Sequence, residues 1–466
     1  MNQNTPSEER APATGDGFGA SLDRYFQISE RGSTVGTEVR AGITTFLTMG
    51  YILFINPQIL SLAGMPEADV AIATALGAAI ATIIMGVYAN YPFVLAPGMG
   101  LNAYFTFGVV QGLGVPWEVA LTAVFVEGLI FIALSRGGVR TLIINAIPRS
   151  LKIATTVGIG LFLAIIGLQN MGLVVDHPAT LVTLGDVQQP SVYLALIGVL
   201  LIGALLVKQV KGAILIGILV ITVISWVTGL APAPEQFVGL PSLPKETLFA
   251  LDFSQIFTGT FFTVVIAFMF VDIFDTAGTL IGVGRLAGFL DKEGRLPNSD
   301  RAFTADAVGT SAGALLGTST VTTYIESATG VEEGGRTGFT SVVAGIMFLL
   351  ALFFIPLVTA VPALATAPAL IIVGTLMMAG ARELEWNQMD DAIPAFLAVI
   401  VMPLTYSIAN GITIGIVTYV LLKLLVGKGK EIGPVMIVLA ILLAAYYADL
   451  GGLLGLTGGE AAPPAE

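Results

Sequence analysis

Apolar runs long enough to cross a membrane recur along almost the whole of this 466-residue chain, and they decide what it can fold into. A helix needs roughly 20 apolar residues to span a bilayer. Such segments are read at about 42–62, 70–89, 92–110, 117–135, 151–172, 191–207 and 212–230. After a polar, Pro-rich connection they return at about 258–284, 303–317, 319–334, 337–361, 366–381, 391–408 and 410–426. The chain is 55% hydrophobic and 11% charged, whereas a water-soluble domain carries roughly 25% charged residues, so it cannot clothe itself for water. The expected fold is an all-α polytopic membrane protein of fourteen transmembrane segments in the cell (inner) membrane.

Basic residues test that threading, because short loops rich in Lys and Arg stay in the cytoplasm. With the N-terminus cytoplasmic, the inner side receives Arg136, Arg140, Arg149 and Lys152, then Lys208 and Lys211, then Arg285, Lys292, Arg295 and Arg301. Arg336, Arg382, Lys423, Lys428, Lys430 and the four arginines ahead of residue 41 join them, and of twenty basic residues only Lys245 falls outside. The chain then divides into a disordered tail at 1–21, an interfacial stretch at 22–40 and a first repeat at 41–230. An external linker at 231–257, a second repeat at 258–426, an apolar C-terminal segment at 427–456 and a disordered tail at 457–466 complete it. The apolar run at 435–448 is short for a crossing. Residues 1–20 are polar and acidic, unlike a cleavable signal peptide.

An odd number of segments per half inverts the second half relative to the first, a common way to build alternating access. Matching irregularities support the inversion. The third segment carries Pro92, Pro97, Gly98 and Gly100, through which no uninterrupted helix runs. The tenth carries the β-branched run Thr318–Ser319–Thr320–Val321–Thr322–Thr323, which favours extended chain. Each is read as a short strand leading into a half-helix. Extended backbone at membrane depth is tolerated only where protein covers it or where it lines a polar cavity.

Acids within the membrane are candidates for function because each is costly to bury. Asp272 and Asp275 lie in the eighth segment, Glu326 at the start of the tenth half-helix, Glu127 in the fourth and Asp306 in the ninth. No Lys, Arg or His is placed beside them in this threading, and removing a carboxylate from water without a cation favours its protonated form. Asp272, Glu326 and Asp275 are therefore the proton-coupling candidates. The same chemistry suits a neutral heterocycle, since one carboxylate accepts two parallel N–H bonds from a purine edge. Asn102 closes the first break, and Asn56 and Gln58 flank Pro57 in the first segment within reach of the same cavity. The substrate-binding candidates are Glu326, Asp272, Asn102, Gly98, Thr276, Ile325 and Gln58.

Other chemistries lack their parts. There is no cysteine, and the one histidine, His177, sits beside Pro178 in a polar connection, so no metal, cofactor or enzymatic centre is expected. A net charge of −12 argues against nucleic acid as a partner. The competing function is an anion transporter of the sulfate and bicarbonate class, which would be expected to present a cation or an uncompensated helix dipole where Glu326 stands.

Four runs carry a specific resemblance: AGITTFLTMGYILFINP at 41–57, APGMGLNAYFTF at 96–107, FVDIFDTAGTLIG at 270–282 and TSTVTTYIESATGVEEGGRTG at 318–338. Together they resemble the AzgA-type adenine, guanine and hypoxanthine permeases, relatives of the uracil and xanthine permeases, over roughly residues 22–450. The resemblance implies two inverted seven-segment repeats with a core domain (segments one to four and eight to eleven) and a gate domain (the rest). Substrate would lie between the two broken segments, with Asp272, Glu326 and Asn102 matching the family's acids and asparagine. Uracil carriers hold a histidine where this chain has Thr276, which points to the purine branch. The implied activity is proton symport of purine nucleobases by alternating access, in a homodimer within the bilayer, with the proton as coupling ion.

Overall fold

The computed structural model describes residues 18–134, 148–292 and 295–447. Arg136, Arg140 and the tails at 1–17 and 457–466 lie outside the described residues. The first helix, α1 (Phe18–Phe26), begins inside the stretch expected to be a tail. Thr34 opens the next by accepting the Thr37 amide at 3.2 Å, with Glu38 in the first turn. Such a cap satisfies orphan N–H groups and lets α2 (Val35–Met49) start ahead of the boundary expected near 42. It ends at Gly50, and α3 (Ile52–Ser61) continues beyond Tyr51 with Pro57 inside it.

α4 (Glu67–Ile84) passes into a π-helical turn, Met85–Ala89, that stops at left-handed Asn90. The third segment is broken as expected: β1 (Leu95–Pro97), α5 (Met99–Ala103) and a π-helical stretch, Tyr104–Gly112. Then come α6 (Trp117–Leu134), α7 (Arg149–Asn170), β2 (Val174–His177), β3 (Leu181–Leu184), α8 (Pro190–Val207) and α9 (Ala213–Val227). The second half holds α10 (Gly259–Leu286), α11 (Ser299–Leu316), β4 (Val321–Thr323), α12 (Ser327–Glu332) and α13 (Gly338–Ala351), which runs through a 3-10 turn into α14 (Ile355–Val358). α15 (Ala363–Met378), α16 (Met389–Leu404), α17 (Ile408–Leu425) and α18 (Pro434–Tyr447) end it. Among the described residues, nine helices are long and apolar enough to cross a membrane by length and composition.

The hairpin β2–β3 replaces a connection read only as polar, with Val174 opposite Leu184 and His177 opposite Leu181. His177 serves its turn: Nδ1 accepts the amides of Ala179 and Thr180, each at 3.3 Å.

Helices pack in two groups. α4 contacts α11 and α13, and α6 contacts α10 and α11; separately, α7 contacts α15 and α16, and α9 contacts α8 and α15. Small residues permit this, because lipid gives apolar side chains little reason to associate and close backbone approach decides. Two buried acids brace the ends. The Glu38 carboxylate accepts the Arg336 and Thr337 amides (2.9 and 3.2 Å) and the Thr340 hydroxyl (2.5 Å), capping α13 from another helix. Asp69 accepts the amides of Lys245, Glu246 and Thr247 (2.7, 2.6 and 3.2 Å) and pins the linker.

Candidate substrate and proton site

β1 and β4 pair antiparallel, with Leu95 opposite Thr323, Ala96 opposite Thr322 and Pro97 opposite Val321. Pro97 has no N–H, so Gly98 takes over the ladder by donating to the Thr320 carbonyl at 2.9 Å, and the Tyr324 amide closes the other end on the Val94 carbonyl at 2.9 Å. Each outer edge would be orphaned at membrane depth without help. On one side the Thr82 hydroxyl, from α4, accepts the Leu95 amide and meets the Leu95 carbonyl, both at 2.9 Å. On the other the Thr310 hydroxyl, from α11, treats the Val321 carbonyl and amide the same way (2.9 and 3.2 Å). Sequence reading missed both threonines, each of which lies in the helix preceding a break.

At Gly98 the two broken segments leave no room for a side chain. A Cβ there would stand 2.8 Å from the Thr322 hydroxyl and 3.0 Å from its methyl group, so only glycine fits. Asn102 is fully buried and ties the same segments: its Oδ1 accepts the Ser319 hydroxyl and its amide reaches the Pro97 carbonyl at 3.5 Å.

Glu326 follows β4 at the N-terminus of α12 and is partly exposed. The buried Tyr51 hydroxyl, from the gap between α2 and α3, donates to its Oε1 at 2.5 Å. Asp275 lies close enough for its charge to interact with that of Glu326, and receives the Thr322 hydroxyl on Oδ2 at 3.2 Å. Tyr324 faces both acids and donates to the Pro97 carbonyl at 2.5 Å. Tyr51, Thr322 and Tyr324 were not singled out from sequence, although each lies in a quoted motif. Ile325, an adjacent candidate, is 63% exposed.

The eighth-segment acids diverge. Asp275 joins Glu326, whereas Asp272 is fully buried in a second cluster. There the Thr276 hydroxyl contacts Asp272 Oδ1 at 3.3 Å and Asp306 Oδ1 at 3.0 Å, and the Thr323 hydroxyl reaches Asp306 Oδ1 at 3.3 Å. Asp272 and Asp275 are three residues apart on α10, which turns their side chains to different neighbours.

Gln58 connects the two packing groups: its Nε2 donates to the Val361 carbonyl at 2.8 Å, and its Oε1 accepts the Thr366 hydroxyl. Nearby, Phe107 sets its ring edge-on to Phe162 and Tyr406 (centroids 6.1 and 5.8 Å). Asn56 bonds the Thr74 and Thr318 hydroxyls at 2.7 and 2.9 Å and holds α3 to α4 and to the second break. Among the described residues no group of His, Cys, Asp and Glu side chains could hold a metal ion.

Comparison with known proteins identifies the family. The chain is 46% identical over 440 residues to the guanine/hypoxanthine permease PbuG of Bacillus subtilis (strain 168), spanning 92% of this chain and 100% of that one. It is 41% identical over 424 residues to the adenine permease AdeP of Escherichia coli (strain K12), spanning 90% and 94%. Among solved structures, the transmembrane domain of the cyanobacterial bicarbonate transporter BicA superposes with a TM-score of 0.62, covering 80% of this chain and 96% of that one. At 16% identity that likeness is one of fold alone. Residues 36–414, which contain the paired strands and every acid around them, match the family model Xan_ur_permease, described as "Permease family", and the chain is a member of that permease family, of AzgA type.

Proposed function

We propose that this chain imports purine nucleobases, guanine, hypoxanthine and adenine among them, across the cell membrane in symport with protons. The observation that carries the reading is Glu326: a carboxylate at the crossing of two unwound segments, steadied on one oxygen by Tyr51 and facing Asp275 rather than a cation. Its remaining acceptor capacity suits two N–H groups of a purine edge. The permease names of PbuG and AdeP support a purine over another neutral base. The fold likeness to a bicarbonate transporter keeps the anion reading in view, but an anion would meet two acids here. Substrate-binding roles for Glu326, Asp272, Asn102, Gly98, Thr276, Ile325 and Gln58 and proton roles for Asp272, Glu326 and Asp275 belong to the proposal.

So do the fourteen crossings, the inverted repeats and a division into core and gate. The matched use of Thr82 and Thr310 on the two strands supports the repeats, and the two packing groups support the division. Alternating access then means that α7–α9 with α15–α17 rock against the helices carrying β1 and β4, in a homodimer oriented with its N-terminus in the cytoplasm. The test is uptake of labelled hypoxanthine, guanine and adenine into proteoliposomes. Accumulation that rises with an inward proton gradient and collapses with a protonophore is expected. Uptake that required sodium at constant pH, or none for any purine, would refute the reading.

A further inference from the structure

Glu127 lies in α6 and is fully buried, and neither of its carboxylate oxygens has a donor in hydrogen-bond geometry among the described residues. The titratable groups that face it are Asp272 from α10 and Asp306 from α11, the helices packed against α6, and the third facing group is the Thr320 hydroxyl just ahead of β4. Thr320 is itself fully buried, with no hydrogen-bond partner for its hydroxyl among the described residues. Two polar side chains from separate elements are thus aimed at one point and left unsatisfied there, a cost that buried groups ordinarily avoid.

The threonine between the aspartates says what would satisfy them. Thr276 touches Asp306 Oδ1 at 3.0 Å and Asp272 Oδ1 at 3.3 Å, but a hydroxyl has a single hydrogen to donate. If it donates to the nearer carboxylate, it turns a lone pair to the other, which becomes favourable only when that carboxyl bears a proton. Three ionised carboxylates in one buried cluster repel strongly, and a shared proton removes the repulsion and supplies the missing donor together. α6 and α11 pack closely beside the site: on the residue after Glu127, Gly128, a Cβ would meet the Ser311 side chain and stand 3.1 Å from the Ala307 carbonyl.

We propose that Glu127, Asp272 and Asp306 form one proton-binding site, at the junction of α6, α10 and α11, with Glu127 as the acceptor that takes the coupling proton. Binding adds H⁺ from water to a Glu127 oxygen, whose new O–H donates to Asp272; release returns the same proton to water on the other side, with no other bond made or broken. The site shares Asp272 with the eighth segment, while Asp275 on the same helix interacts with Glu326. Proton and purine are thus linked through Asp272 and one helix, and a proton at Glu127 changes the charge against which α10 and the β4 segment settle. This inference rests on the symport reading and adds a residue and a location to it.

The test uses full-length protein in liposomes with a trapped pH-sensitive dye. Wild type acidifies the lumen when hypoxanthine is added outside. Glu127→Gln leaves Glu326 and Asp272 in place and is expected to bind hypoxanthine with affinity lowered by no more than about tenfold through the shared Asp272, yet to acidify no more than protein-free liposomes. Glu127→Asp keeps an ionisable group in a displaced position, and its uptake is expected to show a shifted pH profile; this variant decides the matter should Glu127→Gln fail to fold. Wild-type acidification in Glu127→Gln, or an unshifted profile in Glu127→Asp, overturns the triad alone. Wild-type protein that takes up purine without acidification overturns symport and the triad with it.

Discussion

Replacing Glu326 by glutamine isolates the charge of the site from its shape. Tyr51 donates to Oε1 at 2.5 Å, and an amide oxygen accepts that bond as a carboxylate does, so the tie to the first segment survives. The other edge changes: an acceptor becomes an NH₂ group pointed at the N–H groups of the purine. A hydrogen bond to a charged group contributes about 1.5–3 kcal/mol, and opposing two donors adds about 0.5–1 kcal/mol, which gives a loss of about 2–4 kcal/mol. That corresponds to roughly 30-fold to 1000-fold in affinity. The assay is equilibrium binding of guanine and of hypoxanthine to purified protein in detergent, beside Tyr51→Phe, which keeps the charge and removes only the competing donor. Tyr51→Phe is expected to bind more tightly than Glu326→Gln. Unchanged affinity of Glu326→Gln for both bases, in protein that melts like wild type, would refute a role for this carboxylate in recognition.

Two further outcomes follow from packing and charge. Gly98→Val places branched carbon where a Cβ alone would stand 2.8 Å from the Thr322 hydroxyl, so forcing β1 from β4 should cost about 1–3 kcal/mol; a melting temperature equal to that of wild type would contradict this. In the first turn of α16, Asp390 accepts from the Lys423 and Lys428 ammonium groups at 2.7 and 2.6 Å, which hold its carboxyl well below the usual carboxylate range. A group depressed in the folded state stabilises above its unfolded value of about 4 and loses that contribution as pH falls further. Asp390→Asn should therefore melt lower than wild type at pH 7, with the gap closing in strong acid; a gap that widens on acidification would reverse the argument.

The positions of the helices were legible in the sequence because membrane helices obey a length rule and apolar runs are easy to bound. Both breaks were legible too, since Pro92, Pro97, Gly98 and the β-branched run after Gly317 oppose helix by local chemistry. What one chain position cannot reveal is its partner across the fold. Thr82 and Thr310 look like ordinary helical threonines until the strands beside them are in place. Gln58 follows Pro57 in an apolar segment, yet its bonds run to Val361 and Thr366, about three hundred residues away. Asp272 and Asp275 are three residues apart in sequence and join different clusters, because the turn of one helix sends each to other neighbours. Tyr51 carried no signal of its own beyond standing beside Gly50, where the first helix breaks.

The strand pairing also bears on how the protein is made. The Val94 amide donates to the Ser327 hydroxyl at 2.9 Å, Gly98 donates to the Thr320 carbonyl, and the Val94 carbonyl waits for the Tyr324 amide. A ribosome that has delivered the chain through α9 has delivered these groups without partners, and more than ninety further residues must follow before residue 320 emerges. Each unmet backbone group costs several kcal/mol in hydrocarbon. The nascent first half is therefore an unfinished object that shelters its broken segment near water or beside the insertion machinery until the second half arrives. Two pieces made as separate chains, divided between α9 and α10, carry matching vacancies and so a strong reason to find one another.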